Sequence, residues 1–177
     1  MGDPESVARG ICLRALTGAP RTRSQLADLL ARRGVPEEAA DAVLDRFTEV
    51  GLIDDAAFAR AWVSSRQAGR GLARRALQAE LRAKGVDPEV AAEAAEQVDE
   101  DDERAAARAL VQRRLGSTSR LDRATATRRL LGMLARKGYG GGMAAAVIRE
   151  ALDERAVDAE PSLDADPLDL GEDALLP

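Results

Sequence analysis

The chain has 177 residues, 45% of them apolar, and carries 26 Lys and Arg against 31 Asp and Glu, for a net charge of −5. It has no histidine and one cysteine, which excludes histidine-based triads, imidazole metal sites, disulfides and thiolate zinc sites built from this chain alone. Alanine, leucine and valine dominate, the aromatics are Phe47, Phe58, Trp62 and Tyr139, and no window alternates like a strand, so an all-α protein is expected.

The first helical stretch is "ESVARGICLRAL", with Cys12 on its apolar side. No base lies nearby in sequence to activate the thiol, so Cys12 reads as a small core residue. In the following "RTRSQLADLLARRGVPEEAADAVLDRF", Leu26 and Leu30 are four apart and share one helix face. Arg33 and Gly34 read as the basic last turn and glycine C-cap of that helix, and a further helix starts after Pro36.

"GLIDDAAFARAWVSSRQAGRG" then places two carboxylates before an apolar run. Asp54 or Asp55 is expected to cap this helix, because a carboxylate there accepts a backbone N–H and meets the positive end of the dipole. A catalytic carboxylate pair is disfavoured, since adjacent side chains diverge and no acid or base partner accompanies them. Phe58 and Trp62, four apart, are expected to form the buried stripe. "AGRG" lacks the preceding strand and third glycine of a dinucleotide fingerprint, so it reads as a helix stop at Gly71.

From residue 60 to 84 the chain carries Arg60, Arg66, Arg70, Arg74, Arg75, Arg82 and Lys84 against Glu80 alone. This run is the strongest patch of one sign and the candidate binding face for a polyanion or an acidic protein surface. "LQAELRAKGVDPEVAAEAA" overlaps it and contains Leu77, Leu81 and Gly85. "DEDDE" at 99–103 reads as a solvated linker that charges the start of the next helix, "ERAAARALVQRRL", rather than as a cation site. "GYGGGM" lacks the lysine and hydroxyl of a phosphate loop. Residues 150–177 hold ten acidic residues against Arg155, leaving residues 1–149 with about +4, and the end of the chain is expected to be a disordered acidic tail. No stretch has the length of a membrane span, no signal peptide is apparent, and a cytoplasmic protein without cofactors is expected.

Three segments align on glycines 34, 85 and 138, spaced by 51 and 53 residues. Leu26, Leu77 and Leu130 stand eight residues before the glycine, and Leu30, Leu81 and Leu134 four before it. Each is preceded by Arg33, Lys84 or Lys137 and followed by Val35, Val86 or Tyr139. With the helix before each segment, the unit is three helices, repeated three times. Such a unit is too small to bury its own surface fully, so an elongated, curved array is expected. The boundaries fall at 1–53, 54–101, 102–155 and, for the tail, 156–177.

"GLIDDAAFARAWVSSR", "GRG" and "ALQAELRAKGV" resemble the signature of the RecX family, bacterial regulators of the RecA recombinase. The stretch beginning at Arg21 resembles that family's first motif, and "LLGMLARKGYGGGMAAAVI" its last, so the resemblance spans about residues 6–152. It implies tandem three-helix repeats; with no catalytic constellation in the sequence, a non-enzymatic protein is expected, and a monomer. It further implies binding in the groove of RecA filaments on DNA, inhibition of ATP hydrolysis, strand exchange and filament growth, and modulation of recombination and repair. Weak direct DNA binding is expected beside the filament contact, and two other readings stand beside this one: a stand-alone DNA-binding protein whose central arginines contact phosphates, and an acidic-tailed scaffold.

Overall fold

The computed structural model describes residues 3–159. Helices α1 (Pro4–Gly18), α2 (Arg23–Arg32) and α3 (Glu37–Glu49) form the first set. Helices α4 (Asp55–Arg70), α5 (Arg74–Ala83) and α6 (Pro88–Ala95) form the second, and α7 (Glu100–Leu115), α8 (Arg123–Arg136) and α9 (Gly141–Ala159) the third. A short 3₁₀ turn, Gly116–Thr118, follows α7, and the described residues contain no strand. α7 thus takes in the last two residues, 100 and 101, of the span 54–101 expected for the second repeat. Residues 156–159 continue α9 instead of opening a tail, and 160–177 lie outside the described residues.

The helix starts follow local chemistry. Asp3, Asp54, Asp99 and Asp122 each cap a helix through a side-chain oxygen, and Thr22 forms a capping box with Gln25. The backbone N–H of Thr125 on Asp122 holds that exposed carboxyl below the ordinary range. Cys12 is fully buried, and burial pushes its thiol upward.

Extensive helix packing occurs within each set of three. One core gathers Leu26, Leu30, Val43, Leu44 and Phe47, the next Leu77, Leu81, Val86 and Val98, and the last Leu130, Leu134, Tyr139, Val147 and Ile148. Leu30, Leu81 and Leu134 are all fully buried, as equivalent positions should be. Changing any one to alanine is expected to cost about 2–5 kcal/mol, read from urea denaturation. A loss near zero at one of them would break the equivalence.

One expectation fails on α4. Phe58 and Trp62 are only half-buried, and the residues that α4 buries are Ala59 and Val63. The two rings stack on each other with centroids 6.0 Å apart, leaving the small Ala59 and Val63 to make the close helix contacts. Apolar periodicity identified the helix but chose the wrong stripe, because large side chains at its margin outweighed smaller ones at its centre.

The repeats meet where the second helix of one touches the end of the second helix of the next. Thr22 Oγ1 donates to the Lys84 carbonyl at 2.7 Å, and one repeat later the Ala73 N–H donates to the Lys137 carbonyl at 3.0 Å. The first N–H of α2 donates to Asp55 at 2.9 Å, and the first N–H of α5 donates to Glu103 at 2.9 Å. A carboxylate from the opening helix of the next repeat therefore meets the positive end of each helix. Asp54 caps α4 through the Ala57 N–H at 2.8 Å, so the adjacent carboxylates cap two different helices.

Candidate functional site

The arginine run divides once it is folded. Arg66 and Lys84 both lie over the Trp62 ring, 4.2 and 4.1 Å from its centroid, in cation–π geometry. Glu80 accepts from the Trp62 indole N–H at 2.9 Å and pairs with Arg66 Nε at 3.4 Å. The one acid inside the basic run thus joins α4 to α5 across the tryptophan. These residues hold the second repeat together.

Arg74 is also engaged. Its backbone N–H and its Nε both donate to Glu103, at 2.9 and 3.3 Å, and Glu103 is 8% exposed. The acids at 99–103 do charge the start of α7, which Asp99 caps, but the expectation of a solvated linker is corrected: residues 100–103 are the first turn of α7, and Glu103 turns inward to Arg74. Arg60 is exposed and lines a separate cleft of about 140 Å³ between α4 and α6 with Val90, Glu93 and Gln97. Like Arg60, the remaining Arg70, Arg75 and Arg82 are exposed and without an ion pair among the described residues. Arg75 and Arg82 are seven apart on α5 and share one face.

Arg70 is presented by the end of α4. Gly71 closes this helix at φ 57°, a conformation that glycine adopts without strain. The third repeat grips the same end: Lys137 Nζ donates to the Arg70 carbonyl and the Tyr139 hydroxyl to the Gly71 carbonyl, each at 2.8 Å. Burial, with the Glu103 charge beside it, pushes the Tyr139 phenol up to about 12 from its ordinary 10.0. The folded state keeps its proton while an unfolded chain loses it near pH 10, so this contribution is whole below pH 10 and disappears as pH rises through about 12. Tyr139→Phe is expected to lose about 0.5–1.5 kcal/mol at neutral pH through the missing hydrogen bond, and to remove that alkaline loss. As Tyr139 is the single tyrosine, tyrosinate absorbance reads its titration directly, and a midpoint near 10 would contradict the buried contact.

Glu103, Lys137 and Tyr139 were missed as partners of the basic segment, because they lie 29 to 68 residues from their contacts. The signal was present in the repeat: Arg23 and Arg74 both open a second helix, and Asp55 and Glu103 both fall in the first helix of the following unit.

Models of the first, second and third three-helix domains of RecX match residues 8–47, 54–94 and 100–148. The chain belongs to the RecX family. It is 60% identical over 158 residues to the regulatory protein RecX of Streptomyces lividans, covering 89% of this chain and 84% of that protein. The RecX of Thermobifida fusca is 55% identical over 153 residues, covering 86% and 83%. Among solved structures, RecX from Lactobacillus salivarius superimposes with a TM-score of 0.80 at 19% identity, covering 87% of this chain and 99% of that one. A second RecX crystal structure gives 0.76 at 21% identity, covering 84% and 72%. At such identities the structural likeness speaks for the fold, which is the RecX arrangement of three helical domains. Among the described residues no helix is long and apolar enough to cross a membrane, and no group of acidic or cysteine side chains could hold a metal ion.

Proposed function

We propose that the chain is a non-enzymatic, cytoplasmic regulator that binds RecA filaments on DNA as a monomer and inhibits RecA ATP hydrolysis, strand exchange and filament growth. The observation that carries this reading is family membership across all three domains. Arg70, Arg75 and Arg82 support it as contacts, since exposed cations without internal partners are available to a filament that contains nucleic acid. Arg66, Arg74 and Lys84 act behind them by fixing the helices. A repeat array also suits a polymeric partner, because consecutive units can touch consecutive protomers.

The test is RecA ATPase on single-stranded DNA with increasing amounts of the protein. Inhibition that grows toward completion is expected. No effect at several-fold excess over RecA would overturn the reading. Tight binding to naked DNA with a steep salt dependence, and no change in RecA turnover, would favour a stand-alone DNA-binding protein instead.

A further inference from the structure

The third repeat carries a second basic feature, separate from the central arginines. The turn after α7 folds that helix's end against α8, opening a cleft of about 320 Å³. Arg129, Met133 and Arg136 follow one another at helical spacing along α8, and Arg114 faces them from the last turn of α7. Leu130 and Met133 supply an apolar wall, and no carboxylate lines the space. None of the three arginines forms an ion pair among the described residues.

Two of these cations have a local reason to be there. Arg114 and Arg136 sit in last turns, where a positive charge suits the helix dipole. Arg129 is in the middle of α8 and has no such reason. Ser117 and Thr118 also line the cleft, but their hydroxyls donate to the Arg114 and Leu115 carbonyls at 2.8 and 2.9 Å. They satisfy the end of α7 and leave the guanidinium groups as the donors for a guest.

We propose that this cleft is an oxyanion site for a phosphoryl group attached to an organic moiety, such as a nucleotide unit. Three forked guanidinium groups offer more donors than the two oxygens of one carboxylate can take up, whereas a phosphate monoester presents three terminal oxygens and a strand presents successive phosphates. The apolar wall and the volume suit a group bonded to that phosphate, beyond what the bare ion would fill. The phosphate can come from a free nucleotide, as a monoester with three terminal oxygens, or from a nucleic-acid strand, as diesters with two non-bridging oxygens each; both offer anionic phosphoryl oxygens on an organic group.

The test uses the full chain without RecA, so it succeeds or fails independently of the filament reading. Arginine Nε–H signals are followed by NMR while the protein is titrated with adenosine monophosphate, a short oligothymidylate or, as a control, a glutamate-rich peptide. Signals of Arg114, Arg129 and Arg136 are expected to move together with a phosphate ligand. R129Q/R136Q is expected to weaken binding at least about tenfold, because charge-assisted hydrogen bonds are lost, with helicity unchanged. Binding of the nucleotide identifies a free-phosphate source, and binding of the oligothymidylate alone identifies a strand. Unmoved arginine signals at saturation, full affinity in the double variant, or equal binding of the glutamate peptide would each overturn the proposal.

Discussion

The triple reversal R70E/R75E/R82E is expected to weaken inhibition of RecA roughly 100-fold while leaving helix content and melting temperature nearly unchanged. The three side chains are exposed and hold no internal ion pair among the described residues, so each change should move stability by less than about 0.5 kcal/mol. Toward an anionic partner, three attractive charges become three repulsive ones. At about 1 kcal/mol each, they account for the expected loss of affinity. R74E should behave in the opposite way. It leaves Glu103, 8% exposed, facing a second carboxylate at the start of α5, and should cost about 2 kcal/mol or more in stability. Paired measurements of circular dichroism melts and ATPase inhibition separate the two classes. A triple variant that inhibits normally would remove these arginines from the contact surface, and a fully stable R74E would remove Glu103 from the junction.

Alanine at the three aligned glycines should produce unequal losses. All three have positive φ, at 73°, 78° and 88° for Gly34, Gly85 and Gly138, so each replacement carries about 1–2 kcal/mol of backbone strain. At Gly34 that is the whole effect, because nothing lies within 4 Å of the added carbon. At Gly85 the new Cβ would fall 2.2 Å from the Ser24 Cβ, and at Gly138 2.8 Å from the Ala76 backbone nitrogen. Neither neighbour is a flexible side-chain end, so the repeats must separate, and a total of about 3 kcal/mol or more is expected at both sites. Because helices pack mainly within their own repeat, urea unfolding of G138A should lose cooperativity, with the third repeat melting apart from the others. Equal destabilisation at all three positions, measured side by side, would show that the glycines serve only as turns.

What the sequence by itself determined was everything governed by neighbours in the chain. Helix type, a capping role for Asp54 or Asp55, the glycine stops and the leucines at 30, 81 and 134 follow from spacings of a few residues, where backbone hydrogen bonds and helix periodicity act. Repetition of the unit was legible for the same reason, and the family resemblance rested on those same motifs. The tertiary structure decided which copies of a repeated residue do more than their local task. Gly34 and Gly138 are equivalent in sequence, yet the start of α5 packs at Ala76 against Gly138, whereas among the described residues nothing lies within 4 Å of a carbon added at Gly34. Arg74 and Arg75 are adjacent in the chain, but Glu103, 29 residues beyond Arg74, engages Arg74 and leaves Arg75 exposed. Phe58 and Trp62 looked like core by size and spacing, and the approach of α5, carrying Glu80 and Lys84, turned Trp62 into a platform for cations. Charge and size belong to the residue, whereas its partner depends on where a distant helix arrives, and that is set by packing of the whole array.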